Sequence, residues 1–177
     1  MANLSTREEI LGFINNNPGV YLRDVSEEMG LAVGDVQYHV WILIRKGQIV
    51  DRRDGRYRRF FESGSYSELE QKVISALRQS TAGRIVTKLA EGQSASHMQL
   101  AAMLGITSQA VTWQMRRLLS AGFVEAVAGN GKSYRLADGA CQVVNQCMRG
   151  MRSRAQQQER APLRAAASST ANVGLFS

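Results

Sequence analysis

The chain has 177 residues and a formal charge of +7, which is length for one ordinary domain or two small ones. With 44% hydrophobic and 21% charged residues, most of it is expected to bury a core. The isoelectric point near 9.9 favours an anionic partner, nucleic acid ahead of an anionic membrane surface. No apolar run approaches the roughly eighteen residues of a membrane span, and MANLSTREEIL carries its acids too early for a signal peptide. Cys141 and Cys147 form no C-x-x-C pair, so they read as reduced thiols of a cytoplasmic protein.

In chain order, Ser5-x-x-Glu8 is a capping-box start for a helix running to about Asn16. NNNPG breaks it, since proline cannot continue a helix and glycine takes the turn. Val20-Tyr21 is extended and leads into a second helix over 22–29. Gly30 caps that helix and Leu31 plugs the core behind it. A third helix over 33–46 stops at Gly47. QIVDRRDGRYRRFF then reads as two strands joined at Asp54-Gly55. Ser67-x-x-Glu70 starts a linker helix within 63–80, with Leu69, Val73 and Leu77 on one face.

A shift of 75 places lays the first unit over a second one, without a gap from residue 10 to residue 124. Ile10 meets Ile85, Val25 meets Leu100, Gly30 meets Gly105, Val36 meets Val111, Val40 meets Met115 and Ile49 meets Val124. The second unit therefore has helices near 82–91, 97–104 and 108–121 and a hairpin, FVEAVAGNGKSYRL. Residues 138–149 place Ala140, Val143, Val144, Cys147 and Met148 at helical spacing, an amphipathic helix that packs either on its own domain or on a second subunit. From residue 150 the chain is Arg, Gln, Ala and Ser, read as a disordered basic tail. The expected architecture is mainly α with small β-hairpin wings. It comprises a first winged helix over 1–62, the linker helix, a second winged helix over 81–137, a C-terminal helix over 138–149 and a tail over 150–177.

The run NPG, EMGLAVGDVQYHV, RKGQIV and RDGRYRRFF resembles winged-helix regulators common in archaea, related to the ArsR and MarR type of bacterial repressors. LAAMLGITSQAVTWQMRRLLSAGFV is similar to a generic member of the same superfamily. The resemblance covers 6–62 and 82–137 and implies a DNA-binding transcriptional regulator with two winged helices in one polypeptide. ArsR-type metal sensors use cysteine pairs in the second helix, and residues 23–29 hold none, so metal sensing is not implied.

Charge distribution points the same way. From Arg45 to Arg59 stand Arg45, Lys46, Arg52, Arg53, Arg56, Arg58 and Arg59 against Asp51 and Asp54, a positive end suited to phosphate. At about 100° per residue, Val36, Val40, Leu43 and Ile44 face the core while Gly34, Gln37 and Tyr38 point outward as base or phosphate readers. In the second copy the readers are Ser108, Gln109, Thr112 and Trp113. Arg116, Arg117, Lys132 and Arg135 complete its backbone contacts. His39 is expected to flank the core and His97 to lie on the surface. No phosphate-binding GxxxxGK[ST] loop and no cluster of histidines or carboxylates suggests catalysis, so no enzyme, metal or cofactor is expected.

The expected partner is double-stranded DNA. Two heads in one chain cover two half-sites alone, or four if the 138–149 helix makes a homodimer through Val143, Val144 and Cys147. The alternative is a tandem winged-helix scaffold that holds proteins in a chromosome or transcription complex. It draws on the VWILI run, where Trp41 and Ile42 stand opposite Arg116 and Arg117 of the other copy. Those two apolar residues are expected to pack on the linker helix or on a second subunit.

Overall fold

The structure, a computed structural model, describes residues 5–92, 94–128 and 133–169, with side chains described as far as Gln158. The first unit runs α1 (Thr6–Asn16), β1 (Val20–Tyr21), α2 (Leu22–Met29), α3 (Val33–Arg45), β2 (Ile49–Asp54) and β3 (Tyr57–Glu62). Two helices follow, α4 (Glu68–Leu77) and α5 (Ser80–Glu91). The second unit continues with β4 (Ala95–Ser96), α6 (His97–Leu104), α7 (Ser108–Ala121), β5 (Val124–Val127) and β6 (Ser133–Leu136), and α8 (Ala140–Ser169) closes the order.

Local chemistry sets the helix ends. Ser5 and Ser67 accept from the amides of Glu8 and Glu70, and both glutamates bond back to the capping residue, so both expected capping boxes form. The backbone N–H of Ser5, followed by its hydroxyl, holds the Glu8 carboxyl below its usual value. Gly30 and Gly105 occupy the left-handed region at φ +63° and +62° and end α2 and α6, where a side chain would be strained. The first hairpin turns through Gly55, at φ +63°, and Arg56. Asp54 and Tyr57 are its closing pair, one residue on from the Asp54-Gly55 turn read in the sequence.

The 75-residue repeat is architectural: β4 and α6 begin 75 places after β1 and α2. The sheets are ordered β1-β3-β2 and β4-β6-β5. Val20 pairs with Phe60 in one and Ala95 with Tyr134 in the other. Val36, Val40, Leu43, Val111, Met115 and Leu118 are buried at matching places. Ile44, at the margin of the buried stripe, is half-buried against the first cluster, while Leu119, 75 places on, is exposed.

Two apolar clusters result, and they do not divide at residue 62. Ile10, Ile14, Val25, Val36, Val40, Leu43, Ile49 and Phe60 form the first. The second gathers α4, α5, α6, α7 and α8, and it also takes Phe61, fully buried, with Val50 packed against it. Strand residues alternate faces, so β2 and β3 turn Ile49 and Phe60 to one cluster and Val50 and Phe61 to the other. The 63–80 segment is therefore part of the second core through Val73, Ile74 and Ala76. Helices α4 and α5 approach so closely that a Cβ on Gly83 would lie 2.4 Å from the Leu77 carbonyl oxygen.

Helix α8 corrects two expectations. Val144 and Cys147 are buried in this chain's own second cluster, with Val143 packed against it, so these three do not form a free face for another subunit. The helix also runs on to Ser169, through residues 150–169 of the expected disordered tail. Its Arg, Gln and Ala content builds no core but has high helix propensity, and the packed first half has already met the cost of nucleation. The rest of that tail, 170–177, lies outside the described residues. Among the described residues, no helix is long and apolar enough to cross a membrane.

Candidate nucleic-acid interface

Each unit presents the second and third helices of its trihelical core beside a hairpin. On α3, Gly34, Gln37 and Tyr38 are exposed, as are Ser108, Gln109, Thr112, Trp113 and Arg116 on α7. Around the first helix stand three exposed arginines of the hairpin. Arg53 donates to the Gly55 carbonyl at 3.3 Å, Arg56 occupies the turn, and Arg58 reaches Asp51 at 2.5 Å. Arg45 is exposed at the end of α3, its guanidinium 4.8 Å from the Trp41 ring centre.

The back of the same hairpin meets the second unit through a buried polar network. Arg59 is 1% exposed. Its Nε lies 2.6 Å from Asp54 Oδ2, Nη1 donates to the Gly19 carbonyl at 2.7 Å, and Nη2 donates to the Tyr21 hydroxyl. The guanidinium also stacks 3.9 Å from the Tyr21 ring centre. Asp54 accepts further from Tyr21 Oη at 3.0 Å and from Gln79 Nε2 at 3.1 Å. Arg117 Nη2 stands 3.4 Å from Asp54 Oδ1, while its Nη1 donates to Gln79 Oε1 at 3.0 Å. Burial pushes the Asp54 carboxyl up, but hydrogen bonds from Arg59 and Tyr21, the Arg59 charge and Gln79 outweigh it and leave it below its ordinary value.

Residues 4–74 match the family model described as an N-terminal HTH domain, and residues 81–125 match the one described as winged helix-turn-helix DNA-binding. The chain carries two helix-turn-helix domains in tandem, the second of the winged DNA-binding type. No curated protein matches it. Solved structures similar to it include the AntR antimony-specific transcriptional repressor, at 26% identity over 49% of this chain and 78% of that one, TM-score 0.41. The oxidised form of MarR from E. coli is 16% identical over 76% and 92% of the two chains, also at 0.41. FabT of Streptococcus pneumoniae, in complex with DNA, is 21% identical over 67% and 78%, at 0.33. Overlaps of that size do not extend the assignment, which rests on the two domain matches and the fold.

Several expected phosphate contacts are buried or already engaged by neighbouring side chains. Arg59 is internal, since it shares the hairpin face of Phe61 and the second unit covers that face. Its cross-strand partner Arg52, 26% exposed at the side chain, turns the same way and lies 3.9 Å from Glu68. Arg117, read as free for phosphate, is turned to Asp54 and Gln79. Arg135 is engaged by Glu125 at 2.5 Å and Asp138 at 3.3 Å. Lys132 lies outside the described residues.

One sequence feature did mark the covered hairpin: adjacent Phe60 and Phe61 point to opposite faces of a strand, so both faces need apolar cover. His97 was missed. It is half-buried, with Nε2 3.0 Å from Thr112 Oγ1 and Nδ1 3.4 Å from Ser108 Oγ, fixing α6 against the start of α7. Trp41 is 52% exposed and Ile42 half-buried. Trp41 borders a groove with Leu22, Val33, Ile44 and Tyr57, all within the first unit, so the expectation that the linker helix covers it is corrected.

Proposed function

We propose that the regulator reads duplex DNA with the front halves of α3 and α7 in the major groove, at Gly34, Gln37 and Tyr38 and at Ser108, Gln109, Thr112 and Trp113. Arg45, Arg53, Arg56, Arg58 and Arg116 hold the phosphates. The observation that carries this is the pairing, in the first unit, of an exposed polar helix front with exposed arginines at the tip of the adjoining hairpin. Glutamine can pair with an adenine edge through two hydrogen bonds, while guanidinium groups match phosphate. The protein acts by binding, with no catalytic step and no cofactor, in the cytoplasm where its DNA is.

Selection of bound sequences from a random duplex library tests this reading and yields the site. A gel-shift series against salt tests the contacts. Arg56→Ala with Arg58→Ala removes two phosphate neutralisations, lowering the log–log salt slope by about 2. An absence of duplex binding at low salt refutes the proposal.

The second reading is a protein-binding scaffold, favoured by Trp41 standing exposed beside its apolar groove. A homodimer that covers Trp41 and Ile42 belongs to this proposal as well. Light scattering on the eluting protein, with and without DNA, separates assembly driven by protein from assembly driven by DNA.

A further inference from the structure

Where the first hairpin meets α4 and α7, a cleft of about 140 Å³ is lined by more positive charge than the protein neutralises. Arg52 enters from β2, Lys72 from α4 and Arg117 from α7, with Asp54 the acidic lining residue; Arg53 borders the cleft but turns its guanidinium to the hairpin tip. Asp54 is already taken, since Arg59, Tyr21, Gln79 and Arg117 all donate to it or lie against it. Glu68 reaches Lys72 at 3.1 Å and Arg52 at 3.9 Å, but its side chain is 75% exposed at the rim. Gln114, which also lines the cleft, holds its Oε1 buried with no hydrogen-bond partner.

We propose that this cleft binds a small phosphate-type oxyanion that ties the first hairpin to the second reading helix. Guanidinium forks and an ammonium converging on one space suit a tetrahedral oxyanion, which can accept from several donors at once. The volume is well below the roughly 300–1,000 Å³ of drug-sized ligand sites, so the ligand class is phosphate-sized. Because its donors come from both units, an anion held there favours the docked arrangement and alters how the two heads are presented together. The oxyanion is either a free solute or a phosphate of the DNA backbone.

Calorimetric titration of the full chain with potassium phosphate, against potassium chloride of equal ionic strength and without DNA, tests the site. The expected result is saturable binding that weakens at least tenfold in Arg52→Gln with Lys72→Gln and is unchanged in Arg23→Gln, an exposed residue of α2 outside the cleft. Should the double variant not fold, Lys72→Gln alone, at a side chain 33% exposed, is expected to weaken binding several-fold. Absence of saturable heat in the wild type, or equal affinity in the variants, overturns the proposal.

Phosphate that competes with a duplex in the wild type, but not in the variant, identifies the backbone as the source. Phosphate that changes duplex affinity without competing identifies a free solute. DNA binding that persists where phosphate binding is absent overturns this cleft and leaves the regulator reading standing.

Discussion

Removing the Asp54 carboxylate, in Asp54→Ala, strands a guanidinium that cannot reach water. The Arg59 side chain is 2% exposed, and although it keeps the Gly19 carbonyl and the Tyr21 hydroxyl, neither carries compensating charge. Breaking a buried pair from one side costs about 3–5 kcal/mol, against a total folding stability of roughly 5–15 kcal/mol. For a chain of this size that lowers the melting temperature by about 6–20 °C.

The neighbouring Asp51–Arg58 pair is the internal control. It is as short, at 2.5 Å, but Arg58 is 69% exposed, so Asp51→Ala is expected to cost less than about 1 kcal/mol. Asp54→Leu with Arg59→Met removes both charges and is expected to recover much of the loss, because an apolar pair needs no desolvation of charge. Urea midpoints of the four proteins measure all of this. An Asp54→Ala cost no larger than that of Asp51→Ala would refute the reasoning, because it would mean that Arg59 is solvated in solution.

The same carboxyl carries a pH signature. Its folded value lies below the ordinary one, so its contribution is present at neutral pH and is lost as pH falls through the folded value. The stability gap between the wild type and Asp54→Asn should hold from pH 7 to about 5 and shrink below about pH 4. Gly83→Ala forces a methyl against the Leu77 carbonyl and is expected to destabilise by roughly 1–3 kcal/mol in urea titrations, whereas Gly12→Ala, where a Cβ meets nothing within 4 Å, should not. Burial, with the Glu70 charge, pushes the Cys147 thiol up to about 11 while Cys141 is exposed. A thiol-alkylating reagent at neutral pH should therefore modify Cys141 first and Cys147 only on unfolding, as peptide mass mapping will read.

The sequence by itself determined the repeat, the helices before α8, the capping boxes and both hairpins' places in the order, because those signals are local. A capping box spans four residues, a buried helical stripe recurs every three or four, and a glycine at positive φ ends a helix wherever it falls. It also set the exposed fronts of α3 and α7, since angular position about a helix follows from residue number once the core face is known.

Which arginines are free was settled only by the tertiary structure. Composition counts seven basic residues between Arg45 and Arg59 but does not say which hairpin face the rest of the chain will cover. Alternation along β2 and β3 sends Arg53 and Arg58 one way and Arg52 and Arg59 the other. Only the packing of the second unit on the Phe61 side buries Arg59 and leaves Arg52 half-buried. The same packing turns Arg117 into a partner of Asp54, sixty-three residues away, and folds the C-terminal helix onto its own chain. Contacts that distant depend on where whole elements come to rest, which no local period or motif encodes.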